Sequence, residues 1–226
     1  MNMNIIIDYF DNKINLNGEY INVIEIENKK YFYRFVKDLY TIFLDGCTND
    51  ITFFENDKEK NMNGKLKLFT DFFNFEFDSK KYTNDISKYV NENIDEKEKD
   101  ALLSLYNKII KIYTRILNNT DLPLNVENDA TVESLTKFVK ISTKKTDELL
   151  ESLFLLIDLE SVLLTNNTLF FINLKQYLTK TELLELYKYA LYNKIEIVLI
   201  DSQSYGTALK YEKKYIIDEN LDEFML

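Results

Sequence analysis

Residues 20–26 read Y-I-N-V-I-E-I, an alternating, β-branched run that predicts a strand. Ahead of it, 4–9 and 13–16 predict two shorter strands. Behind it, residues 30–44 carry Phe32, Phe35, Val36, Leu39, Ile42 and Phe43 at helical spacing. Residues 51–55 and 66–69 are strand-like, separated by the polar loop 56–64, and 83–91 predicts a helix.

A long amphipathic helix is predicted over 94–117. Asp95 caps it while Glu98 reaches back, the reciprocal arrangement of a capping box, and Leu102, Leu105, Tyr106, Ile109, Tyr113 and Ile116 line one face. Pro123, the only proline, breaks the helical run inside the polar connection 118–129. A shorter helix follows over 131–140. Residues 147–164 predict another, with Leu149, Leu150, Leu153, Phe154, Leu156, Ile157 and Leu163 around most of its circumference. A helix so apolar is buried in a larger body or at a subunit contact.

The last third changes character. Residues 168–174 (T-L-F-F-I-N-L) and 194–200 (K-I-E-I-V-L-I) are strands apolar on both faces. Between them Thr179 and Glu182 form a second capping box, stapled by Leu178 and Leu183, for a helix running to about Tyr192. Strand–helix–strand with doubly apolar strands is the crossover unit of a parallel sheet. Residues 215–217 add one more strand. The predicted fold class is therefore α/β: a mostly parallel sheet head from 1–81 and 167–226, with an all-helical leg inserted over 82–166.

Composition narrows the chemistry. The four glycines, Gly18, Gly46, Gly64 and Gly206, are far apart, so no phosphate-cradling loop of either common glycine-rich pattern can be written. With no histidine there is no Ser-His-Asp triad, no Cys-His dyad and none of the usual zinc-hydrolase ligand sets. The chain reads as a protein that works by binding, not as an enzyme. It carries 28 basic and 38 acidic side chains, a net charge of −10, which argues weakly against nucleic acid unless positive charge is segregated. Cys47 is alone, and the N-terminus lacks the basic start of a signal peptide. The most apolar window, 149–164, is interrupted by Glu151, Asp158 and Glu160. A soluble protein of the reducing cytoplasm, with no membrane contact, is the expectation.

In order and pattern, nearly the whole chain resembles one family, the small CRISPR-associated adaptation proteins of type II-A systems (the Csn-two family). The matching stretches are Leu68-Phe69-Thr70-Asp71-Phe72-Phe73, Phe75-Glu76-Phe77-Asp78 and the helices through Leu117. Further on they are Leu169-Phe170-Phe171-Ile172-Asn173, Leu178-Thr179-Lys180, the strand 197–200 and the ending Tyr215-Ile216-Ile217-Asp218-Glu219. The resemblance implies a head related to P-loop ATPases, without a working nucleotide site, and a helical leg. It implies ring-shaped homotetramers that need calcium and bind double-stranded DNA ends in a central hole without sequence preference. It also implies work in spacer acquisition, a part of antiviral defence, beside CRISPR integrase proteins and an RNA-guided effector nuclease. The strand 20–26 accordingly runs into Glu27-Asn28-Lys29-Lys30, where an ATPase carries glycines and a Lys-Thr pair.

Lys137, Lys140, Lys144 and Lys145 form the best basic cluster. The first three share a helix face if the helix continues that far. They read either as phosphate contacts or as a solvated helix end, where the dipole favours cations. With two arginines in the chain, reading of base edges is not expected. Lys29 and Lys30 at a helix start are a weaker DNA-binding pair. Asp121, Glu127, Asp129 and Glu133 lie where the resemblance implies calcium ligands, with Asn125 and Asn128 nearby. They read equally as acids solvating a helix start. Asp201-Ser202 stands at a strand's carboxyl end, where α/β sheets bind ligands, and reads as an inherited, disused site. Arg115 reads as an ion-pair partner or a phosphate contact, and the ion pair is the expectation. Tyr31-Phe32-Tyr33 and Phe72-Phe73 are expected in the core rather than stacking on bases. Two rival functions stay open: a divergent nucleotide-dependent phosphotransferase, motivated by the α/β layer alone, and a structural adaptor without DNA binding.

Overall fold

Strands buried along their whole length and strands that bury alternate residues lie in two different sheets. The computed structural model describes residues 3–73, 75, 80–127, 129, 131–139, 141–143, 146–163 and 168–226, with the backbone alone at 80 and 81. In chain order the elements are β1 (Met3–Ile7), β2 (Ile14–Leu16), β3 (Ile21–Ile26), α1 (Lys29–Asp45), β4 (Ile51–Glu55), β5 (Lys58–Glu59) and β6 (Leu66–Phe69). Then come α2 (Lys80–Asn93), α3 (Glu96–Leu117), α4 (Val132–Phe138), α5 (Leu149–Val162), β7 (Thr168–Ile172) and a 3-10 turn, Leu174–Gln176. The chain closes with α6 (Lys180–Tyr192), β8 (Ile197–Asp201), β9 (Glu212–Ile217) and β10 (Glu223–Met225). It divides into two compact units, Met1–Phe75 with Thr146–Leu226, and Glu76–Lys145.

In the first unit, one sheet has the order β10-β9-β3-β8-β7-β6 and is parallel except for the edge strand β10. β3, β7 and β8 are buried along their whole length, as strands covered on both faces must be. The other sheet, β2-β1-β4-β5, is antiparallel throughout. This corrects the expectation that both chain ends feed one parallel layer. β1 buries alternate residues only, the signature of a strand with one face on the core.

Strand alternation sorts the packing of the larger sheet. Ile24, Ile26, Phe170, Ile172, Val198, Ile200, Tyr215 and Ile217 point to one side and join α1 (Phe35, Leu39, Ile42) and the small sheet in one core cluster. The other side carries Val23, Leu169, Phe171 and Leu199, all buried, together with Lys67, which pairs with Glu160 of α5. Here α5 and α6 pack against each other. So α5 belongs to the first unit, not to the helical excursion expected over 82–166. Its buried Leu153, Leu156 and Ile157 are the interior face that its all-round apolarity predicts.

Capping fixes the helix starts. Asn28 accepts from the Lys30 and Tyr31 amides, and both predicted capping boxes, Asp95–Glu98 and Thr179–Glu182, form. In the second unit α2 and α4 touch through Thr136, which donates to Asn91. α3 buries no residue at all. Among the described residues no helix is long and apolar enough to cross a membrane.

Gly46 ends α1 in the left-handed region, with φ 86°, and its amide returns to the Ile42 carbonyl at 2.7 Å. A Cβ there would stand 2.8 Å from the Asn63 Cβ and 2.9 Å from the Asn63 backbone nitrogen. Gly64 has φ 70° but open space around it. Gly46→Ala is therefore expected to destabilise the first unit by roughly 2–3 kcal/mol, from strain plus collision, and Gly64→Ala by about 1 kcal/mol, from strain alone. Urea denaturation of the two variants separates the contributions.

Candidate functional site

The expected site residues fall in both units. Lys29 and Lys30 are exposed in the first turn of α1, a turn without an acidic residue. Lys137 is exposed in the last turn of α4. That helix ends at Phe138 and Val139 is extended, so the shared helical face expected for Lys137, Lys140 and Lys144 is not continued. Lys140, Lys144 and Lys145 lie outside the described residues. Asp121, Glu127, Asp129 and Glu133 are all exposed. Among the described residues no three His, Cys, Asp or Glu side chains come together as a group able to hold a metal. Arg115 has no ion-pair partner among the described residues, against expectation. On its helix the positions three and four away are Ile112, Lys111, Asn118 and Asn119, none acidic. Phe72 is buried, as expected, whereas Phe73 and Tyr33 are 86% and 69% exposed.

What the structure does assemble is a sealed charge cluster on the α6 side of the large sheet. Glu25, near the end of β3, and Asp201, the last residue of β8, are register partners on parallel strands. Lys214 on β9 reaches Glu25 Oε1 at 2.8 Å and also donates to the Gly206 carbonyl at 2.9 Å. Lys175, in the turn after β7, lies 2.9 Å from Glu212 Oε1 and 3.5 Å from Glu25 Oε1. Tyr187 of α6 donates to Glu212 at 2.7 Å. All of these side chains are buried, Glu25, Asp201 and Lys214 completely.

Burial dominates the electrostatics. The Glu212 carboxyl is pushed up by desolvation, yet the Leu209 amide and Lys175 outweigh this and hold it below the usual carboxylate range. Burial and the Glu212 charge drive the Tyr187 phenol upward. Asp201 is pushed up to about 7, first by burial, and neither of its oxygens has a hydrogen-bond partner among the described residues. With Asp201 neutral, two glutamates face two lysines and the interior is balanced.

Sequence reasoning stops at Asp201-Ser202 and misses the other members. A partial signal exists: Glu25 is the polar residue on the face of β3 that also carries Ile21 and Val23, and an acid in a doubly covered strand needs either buried cations or a proton. Lys175 and Lys214 carry no such mark.

Comparison with known proteins adds one match. The model of the family described as CRISPR-associated protein (Cas_Csn2) matches residues 46–221. That span holds the whole second unit and every member of the cluster except Glu25. No curated protein matches the chain.

Because the folded state keeps the Asp201 proton up to about pH 7 and the unfolded chain releases it near its ordinary 3.8, the sign is fixed. The contribution is fully present below about pH 4 and is lost as pH rises through about 7, at most about 4 kcal/mol. Glu196, raised to about 7 chiefly by burial, acts in the same direction. Asp201→Asn is expected to flatten the fall in urea midpoint between pH 4.5 and 8; an unchanged slope contradicts the assignment.

Proposed function

The chain belongs to the Cas_Csn2 family of CRISPR-associated proteins, and from that membership we propose that it serves spacer acquisition as a homotetrameric ring on double-stranded DNA ends. It acts by binding, without catalysis and without sequence preference. The observation that carries this reading is the family match across most of the chain. CRISPR integrase proteins and the RNA-guided effector nuclease are the partners it implies.

Three physical features favour it. Leu105, Ile109, Ile112, Tyr113 and Ile116 of α3 are each about half exposed, a stripe fit for contact with another copy. Exposed Lys29, Lys30 and Lys137 supply point charges suited to phosphates rather than base edges. And Asn28 already takes up the first amides of α1, the place after a central parallel strand where a nucleotide phosphate would otherwise sit. This suits a head akin to P-loop ATPases whose nucleotide site no longer works, and it disfavours the phosphotransferase alternative.

Calcium belongs to the same proposal as an ion of the assembled ring. It takes six to eight oxygens, and the acids of one copy do not by themselves gather into such a shell among the described residues.

Light scattering is expected to report four times the mass of the 26.9 kDa chain, falling on chelation of calcium. Ile109→Glu, on the exposed stripe, is expected to reduce the mass with the fold intact. Open-ended duplex should bind in preference to hairpin-capped duplex. Affinity should fall at least tenfold from 50 to 200 mM salt, and the charge reversals Lys29→Glu, Lys30→Glu and Lys137→Glu should each weaken binding and shallow the salt slope. Salt-insensitive binding, or a monomer at all concentrations, refutes the proposal; calorimetric ATP binding would revive the phosphotransferase.

A further inference from the structure

We infer that residues 202–211 form a latch across the charge cluster, closed while Asp201 holds a proton and released when Asp201 ionises. The inference does not depend on the proposed function.

The path of this segment is set by topology. β8 ends at the carboxyl end of the parallel strands, and β9 begins opposite Ile21, at the amino end of β3. Residues 202–211 therefore travel back along the sheet, past β3, with no helix among them. The contacts follow that route in order. Ser204 Oγ donates to Glu25 Oε2 at 3.0 Å and the Tyr205 amide to the same oxygen at 3.3 Å. Next, Lys214 holds the Gly206 carbonyl, and the Leu209 amide donates to Glu212 Oε2 at 2.7 Å. Lys175 also sits 5.1 Å from the centre of the Tyr205 ring. The four hydrogen-bonded ties run to members of the cluster, while the ends of the segment are held elsewhere, the Ser202 amide donating to Asn173 Oδ1 at 2.9 Å and the Tyr211 carbonyl accepting from the Ile21 amide at 2.8 Å. Gly206, with φ 75°, and Tyr211, with φ 78°, place left-handed turns within this stretch.

The charge count supplies the trigger. The groups around Asp201 are Glu25 from β3, Lys175 from the turn after β7, Tyr187 from α6, Glu212 and Lys214 from β9, and Tyr205 from the latch. Three acids face two ammonium groups, and the odd acid is the one whose two oxygens are buried without a hydrogen-bond partner among the described residues. Neutral, it leaves the cluster balanced. Ionised, it is a bare charge in a low-dielectric interior, and the segment that begins at its own C-terminal neighbour is the cover that can admit water to it. The upward shift of its carboxyl by burial agrees with this.

Amide hydrogen exchange at Tyr205 and Leu209 tests the latch, expressed as protection relative to the free-chain rate at each pH. Between pH 5.5 and 8 the wild type is expected to lose protection roughly ten- to thirtyfold. Asp201→Asn should hold protection constant. Ser204→Ala should lower it at every pH with the wild-type slope, and trypsin cleavage after the exposed Lys210 should follow the same order. Protection that does not vary with pH in the wild type, or that varies equally in Asp201→Asn, overturns the inference. If Asp201→Asn does not fold, the Asp201 carboxyl titration followed by carbon NMR in the wild type decides: its midpoint coincides with that of latch opening or the inference fails.

Discussion

Charges withdrawn from water must cancel, and this requirement organises one side of the large sheet. On the opposite side apolar residues of β3, β7, β8 and β9 meet α1 and the small sheet, and no ion pair is needed. On the α6 side Tyr187 of α6 reaches Glu212 on β9, and the Ser204 hydroxyl and the Tyr205 and Leu209 amides of the return segment reach Glu25 and Glu212. Polar cover permits polar side chains beneath it, and Glu25, Glu212, Lys175 and Lys214 occupy that ground. Such a network contributes little net stability compared with a packed apolar equivalent, but losing one member costs about 3–5 kcal/mol. Its effect is to make the neighbouring elements interdependent.

That interdependence is visible in which residues carry the ties. Lys175 is set by the end of β7, Glu25 by the end of β3, and Lys214 by the pairing of β9 on β3. None is placed by its sequence neighbours alone. A shift of β9 by one residue would turn Lys214 and Glu212 to the apolar side and bring Tyr215 and Lys213 to the carboxylates. The cluster therefore enforces strand register as well as charge balance.

How much of this was legible depended on whether local pattern or tertiary pairing decides the feature. The capping boxes at Asp95 and Thr179 involve residues three apart, and both were readable from the chain. The doubly apolar strands β7 and β8 flanking α6 identified a parallel crossover for the same reason. The separate antiparallel sheet was not readable, because β1 and β4 meet across some fifty residues and their alternation does not name a partner. α5 was assigned to the helical insertion because helical pattern does not reveal which body a helix joins. Of the site, Asp201 was visible from its position after a strand, while its lysine neighbours depend on contacts made from afar. A shared face for Lys137, Lys140 and Lys144 depended on the helix continuing, and α4 stops at Phe138, with Lys140 and Lys144 outside the described residues.

The wet stripe of α3 has a thermodynamic corollary. A helical body whose longest member buries no side chain fully has little internal cohesion of its own. Were another copy to cover that stripe, as proposed, it would supply cohesion by mass action, and the melting temperature of the helical unit would rise with protein concentration more than that of the α/β unit. Dilution would then act on the smaller unit before the larger.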